Sequence, residues 1–185
     1  MKNNFSRWQR LFLFCLGLFL AGAFAMKWIE NDLLYNGEKI SIFGLELFYS
    51  KEKIAEILSG LDDKVKTILG YHLSFDFIFM AGVYPGISCL CMMASEKVIP
   101  VTSGRTNLKR LLVILAFLQI FGWTFDVVEN FYLLKWLKVP EIGNEFGFYH
   151  VVVYSKWIIA LTGALFAIVI LVGSLFKRKN PKSAI

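Results

Sequence analysis

The chain reads as an all-α membrane protein: a four-transmembrane-helix bundle with a small extracytoplasmic α/β cap. Composition is the first ground, because 57% of its 185 residues are hydrophobic and 16% are aromatic. The second is the spacing of four apolar runs, at about 11–27, 72–94, 111–134 and 150–176. Each approaches the roughly 20 residues needed to cross a ~30 Å hydrocarbon core. Little is left for a soluble domain. Residues 1–185 therefore form one membrane domain, with 28–70 as its largest polar insert.

The third ground is the placement of Lys and Arg, which sets orientation. One side carries Lys2, Arg7, Arg10, Lys97, Arg105, Lys109, Arg110, Lys177, Arg178, Lys179 and Lys182 against a single acid, Glu96. The other side carries Lys27, Lys39, Lys51, Lys53, Lys64, Lys66, Lys135 and Lys138, outnumbered by acids. Both termini and the 95–110 loop are expected to be cytoplasmic, with 28–70 and 135–149 outside. The net charge of +6 is thus a topology signal. It does not point to nucleic acid, since the basic residues flank the spans and form no separate domain.

The first run has a basic start and an Ala23-Phe24-Ala25 sequence resembling a signal-peptidase site. Its length and aromatic content favour a retained helix. Cleavage would leave three spans in the same orientation. In the 28–70 insert, Asn36-Gly37 suits a type I′ hairpin turn. Residues 38–49 partly alternate and suggest one or two short strands. Ser50 suits the N-cap of a helix over 51–59, with Ile54, Ile57 and Leu58 on one side and Gly60 at its end. Such a helix beside a bilayer most often lies on it, and a lid is the alternative. Asp62 or Asp63 starts the helix that becomes the second span. Pro85 within that span removes a hydrogen bond to the Ala81 carbonyl and predicts a kink. Pro100 to Asn107 reads as a loop, and the tail from Lys177 as a basic stop signal. Cys15, Cys89 and Cys91 all fall in spans, so they read as small apolar core residues and not as a disulfide framework or metal clip.

The functional signal is charge inside the spans. Asp76 lies in the second, Asp126 and Glu129 in the third, and Lys156 in the fourth. An ionisable group in hydrocarbon costs a few kcal/mol or more, and faces protein or water. Counted from the outer ends of their spans at 1.5 Å per residue, all four sit roughly 6–12 Å deep. They share one layer in the outer leaflet. On the third span Gln119, Gly122, Asp126, Glu129 and Asn130 make a single polar stripe. On the fourth, Lys156 shares a face with Ala160, Gly163 and Ala167, small residues that let helices approach closely. Asp76, Asp126, Glu129, Asn130 and Lys156 are therefore the candidate ligand- or ion-binding residues. His72, His150 and Tyr154 are candidates for the pocket mouth. Three carboxylates and one ammonium leave a surplus of negative charge. That surplus calls for retained protons, a bound cation or water.

The fragments Leu73-Ser74-Phe75-Asp76-Phe77-Ile78-Phe79 and Asp126-Val127-Val128-Glu129-Asn130 stand beside GLELFYSKEKIAEIL and the early Lys156 of the last span. Together they resemble the motifs of a family of small, uncharacterised bacterial four-span membrane proteins. The likeness covers most of the chain. It implies a four-helix fold, an acidic site and a place in the bacterial cytoplasmic (inner) membrane, and it transfers no activity.

Three readings stand open. One is a binding or transport module whose pocket takes a cation, a proton or a lipid-like, amphiphilic or cationic small molecule; a pore would require a homo-oligomer. Another is an intramembrane enzyme acting on a lipid-like substrate by carboxylate acid–base or metal chemistry. The third is an accessory subunit whose buried ion pairs specify assembly. Only two histidines are present, which excludes a three-His zinc site. No cofactor is specified.

Overall fold

The computed structural model describes residues 6–98 and 103–179. Of the basic flanks, Lys2 and the tail from Asn180 lie outside these residues, as do Pro100 and the side chains of Arg105 and 177–179. The element order is α1 (Arg7–Ile29), a 3-10 turn (Glu30–Asp32), β1 (Leu34–Tyr35), β2 (Glu38–Lys39), a wide π-type turn (Gly44–Phe48), α2 (Lys51–Gly60), α3 (Asp63–Lys97), α4 (Ser103–Lys138) and α5 (Phe146–Lys179). Helices α1, α3, α4 and α5 are each long and apolar enough to cross a membrane, the make-up of a multi-pass membrane protein.

Local chemistry explains the starts. Ser6 and Gln9 form a reciprocal capping box on α1. The Ser50 hydroxyl accepts from the Lys53 amide at 3.3 Å, and the Asp62 carboxylate from the Val65 amide at 2.7 Å. Helix α3 runs on through Pro85. The loop expected over Pro100–Asn107 is already helical from Ser103.

The hairpin forms with Leu34 opposite Lys39 and Tyr35 opposite Glu38. Asn36 and Gly37 take φ of 51° and 81°, the left-handed pair that a type I′ turn demands. Strand structure ends at Lys39, so the expectation of strands across 38–49 holds only at its first two residues. Gly44 and Leu45 are both buried although adjacent, which strand alternation forbids. The Ser41 hydroxyl accepts from the Gly44 amide at 3.0 Å and starts a helical turn instead.

Two apolar cores lie at opposite ends of the bundle. One gathers Leu33, Leu45, Ile54, Leu58, Leu69, Leu133, Trp136, Tyr149 and Val153. Ile54, Ile57 and Leu58 of α2 are spent in this core, so α2 does not lie on a bilayer by its apolar face. The other core contains Ile87, Cys91, Ala94, Leu112, Leu115, Ala116 and Ala167. Between the cores lies a polar layer.

Candidate functional site

Lys156 is the centre of that layer and is only 5% exposed. Its Nζ lies 2.7 Å from Asp126 Oδ1, 2.6 Å from Glu129 Oε2 and 3.3 Å from Glu46 Oε2. Asp126 is fully engaged, because Tyr84 donates its hydroxyl to Oδ2 at 2.9 Å. The Glu129 contact is an ion pair without hydrogen-bond alignment, and its Oε1 is buried with no partner among the described residues. Glu46 reaches the layer from the Gly44–Phe48 turn, where the Trp157 indole also donates to it at 3.4 Å. Asp76 joins by a separate route: Asn130 Nδ2 donates to its Oδ2 at 2.7 Å and to the Leu73 carbonyl at 3.5 Å.

Beside this network is a cavity of about 160 Å³. Its polar lining is Glu30, Glu46, His72, Asp76, Asp126, Asn130 and Lys156, and its apolar walls include Met26, Phe43, Phe79, Val83 and Trp157. His72 is 3% exposed, and neither ring nitrogen has a hydrogen-bond partner among the described residues. Its nearest charged neighbour, Glu30 Oε1, stands 3.6 Å from Nε2, too far for a hydrogen bond. Beyond Tyr84, a second cavity of about 200 Å³ is lined by Pro85, Ser88, Phe117, Gln119 and Trp123. Tyr84 lines both cavities. Gly122 makes room for that ring: a Cβ there would fall 2.8 Å from Tyr84 Cε1.

The five candidate binding residues are thus brought together, Asp76 through Asn130 and the others around Lys156. Glu129 stands behind the cavity and does not line it. Of the three residues expected at the mouth, His72 lines the cavity. His150 packs among the rings of Phe146, Tyr149 and Tyr154. Tyr154 points its hydroxyl at the Leu47 carbonyl. Neither His150 nor Tyr154 lines the cavity. Sequence reasoning missed Glu46, Glu30 and Tyr84. The signal for Glu46 was present, since it is the sole charge in the apolar run from Ile40 to Tyr49. Comparison with known protein families, curated proteins and solved structures gives no match for this chain.

Four carboxylates against one ammonium leave a formal −3 if all ionise. Burial pushes the Glu46 carboxyl above the usual carboxylate range, against the pull of Lys156. The sign of the linkage follows. A folded value above the unfolded one means the native state holds the extra proton between the two. Stability is then greatest at the acid end and falls as pH rises through that window. Unfolding followed from about pH 4 to about pH 8 should show this decline, and Glu46→Gln should flatten it. A slope unchanged in the variant would place the titration elsewhere.

Tyr84→Phe keeps the ring and removes the donor to buried Asp126 Oδ2. We expect a loss of about 1–3 kcal/mol in detergent unfolding, against near-neutrality if water replaces the hydroxyl.

Proposed function

We propose that this chain is a binding or transport module whose intramembrane acidic pocket, in the outer leaflet, takes a cation, a proton or an amphiphilic ligand. The observation that carries the reading is the imbalance beside an open cavity. Lys156 satisfies Asp126 and reaches Glu129 and Glu46, yet both buried His72 nitrogens keep no hydrogen-bond partner among the described residues, and half-buried Asp76 is held only through Oδ2. A purely structural ion-pair layer accounts for the Lys156–Asp126 pair and leaves the His72 imidazole on the cavity wall unexplained, since a buried polar group without a partner is costly. An intramembrane enzyme is the second reading, favoured by His72 and Asp76 standing one helical turn apart on the cavity wall. Turnover of an added amphiphile that is lost in His72→Gln while binding persists would favour it over the first.

The charge bias of the flanks supports cytoplasmic N- and C-termini, with the cap outside a bacterial inner membrane. A cysteine placed at Asn36 on a Cys-free background should react with an impermeant thiol reagent from the outside. Reaction from the cytoplasmic side alone would invert the topology. For the pocket, purified protein should bind sodium, calcium or phenethylammonium saturably, or exchange protons, and Asp76→Asn should abolish that response while the protein remains folded. No response to any of them would return the acids to a packing role.

A further inference from the structure

We propose that the ligand of the acidic cavity is a protonated organic amine with at least one N–H, small enough for its ammonium end to fill about the volume of one aromatic ring. This rests on the binding reading above and names its ligand class.

The carboxylate cage is already filled. Three acids converge on one point, and Lys156 Nζ occupies it. Among the described residues no group of three or more His, Cys, Asp or Glu side chains is set to hold a metal ion. The acceptors that face the cavity away from Lys156 are single and spaced apart: the Asp76 carboxylate, held through Oδ2 by Asn130, and the buried, unpartnered His72 imidazole. His72 and Asp76 are four residues apart on α3 and line the same cavity, so their side chains project one turn apart on one helix face. Two separate acceptors, one a carboxyl and one a buried imidazole, match the diverging N–H donors of an ammonium. A bare or hydrated metal ion needs a shell of oxygens.

The remaining wall is apolar and aromatic. The Phe43 and Trp157 rings stand 5.7 Å apart and both line the cavity, with Phe79, Val83 and Met26 completing it. Aromatic faces attract ammonium groups and pack against the carbon attached to them. They offer nothing to a solvated inorganic ion. A cavity of about 150 Å³ accommodates benzene, and this one measures about 160 Å³, so the recognised part is an amine with a short hydrocarbon or aromatic body. Phosphate in the same space would meet Glu30, Glu46 and Asp76. A phospholipid amine could therefore place only its terminal ammonium here. These acceptors separate amine types, because a quaternary ammonium has no N–H to give His72 or Asp76.

The test is calorimetric titration of the purified full chain in nanodiscs of phosphatidylcholine. The probes are phenethylammonium, its N,N,N-trimethyl analogue, neutral 3-phenylpropanol, sodium and calcium. We expect saturable binding of phenethylammonium, weaker binding of the trimethyl analogue and none of the alcohol. Asp76→Asn should weaken the amine by about tenfold or more. His72→Phe should narrow the gap between primary and quaternary amines, a change that a general loss of fold would not produce. Equal affinity for amine and alcohol, or an unchanged amine affinity in Asp76→Asn, overturns the proposal. Sodium or calcium binding without amine binding also overturns it, while leaving the broader acidic-pocket reading intact. Silence of every probe removes both. Repeating the titration in nanodiscs containing phosphatidylethanolamine distinguishes the source. Competition there assigns the site to a lipid amine, and unchanged affinity assigns it to a free one.

Discussion

Lys156→Met should be the most damaging single substitution in the polar layer, at a cost of about 3–5 kcal/mol. The ammonium is the one positive charge among four buried or half-buried acids, and three of them lie within 3.3 Å of it. Removing it leaves Asp126 and Glu129 at 4% and 0% exposure with no counter-charge. The substitution also frees Glu46, which anchors the Gly44–Phe48 turn to α5. Damage should therefore spread from the bundle into the cap. Because the loss comes from stranded carboxylates, it should shrink when they are neutralised. Lys156→Met with Glu129→Gln should recover part of the stability, and adding Asp126→Asn and Glu46→Gln should recover more. Unfolding in mixed detergent micelles measures the series. If Lys156→Met and its combinations are equally stable, the cage contributes nothing to folding.

The bundle was legible because its signals are local. Four apolar runs, the Ser50 and Asp62 caps and the Asn36-Gly37 turn each depend on neighbours within a few residues. The Gln119-to-Asn130 stripe and the meeting of Asp76, Asp126, Glu129 and Lys156 in one layer were legible for a related reason. Helical periodicity and span direction convert sequence position into face and depth. Glu46 escaped because its partner is more than one hundred residues away in the chain, and because partial alternation in 38–49 mimics a strand. The rule applied to the spans, that a lone acid in an apolar run needs a partner, would have found it. Tyr84 escaped because an aromatic residue in a membrane helix is usually packing. Only the structure reveals that its hydroxyl meets Asp126. His150 was misplaced at the pocket mouth because depth alone cannot tell one face of α5 from another.

Gly82→Ala should release α1 from the bundle, by a mechanism independent of charge. Helix α1 exposes Leu13, Phe14, Leu20 and Phe24 and packs on α3 through two glycine contacts. A Cβ on Gly82 would fall 2.8 Å from the Cys15 carbonyl oxygen and from Phe19 Cα, and closer still to the Phe19 amide nitrogen. A Cβ on Gly22 would meet the Phe79 amide nitrogen at 2.9 Å. These neighbours are backbone atoms, which no rotamer change moves aside, so the helices must separate. Close approach at small residues is the main attraction between helices in lipid, and overpacking costs about 1–3 kcal/mol or more. The consequence reaches the site, because α1 supplies Met26 to the cavity wall, the 3-10 turn at its end supplies Glu30, and Phe19 of α1 makes the ring contact with Phe79 at 5.1 Å. The native thiols report the separation. Cys15 and Cys89 are each 2% exposed, and Cys91 lies at 0% in the distal core. In Gly82→Ala, Cys15 should become reactive to N-ethylmaleimide while Cys91 stays protected. Gly17→Ala is the control, since a Cβ there meets nothing within 4 Å; it should leave Cys15 protected and gain up to about 1 kcal/mol in helix propensity. Equal reactivity in the two variants would mean that α1 is held by something other than its glycine seat on α3.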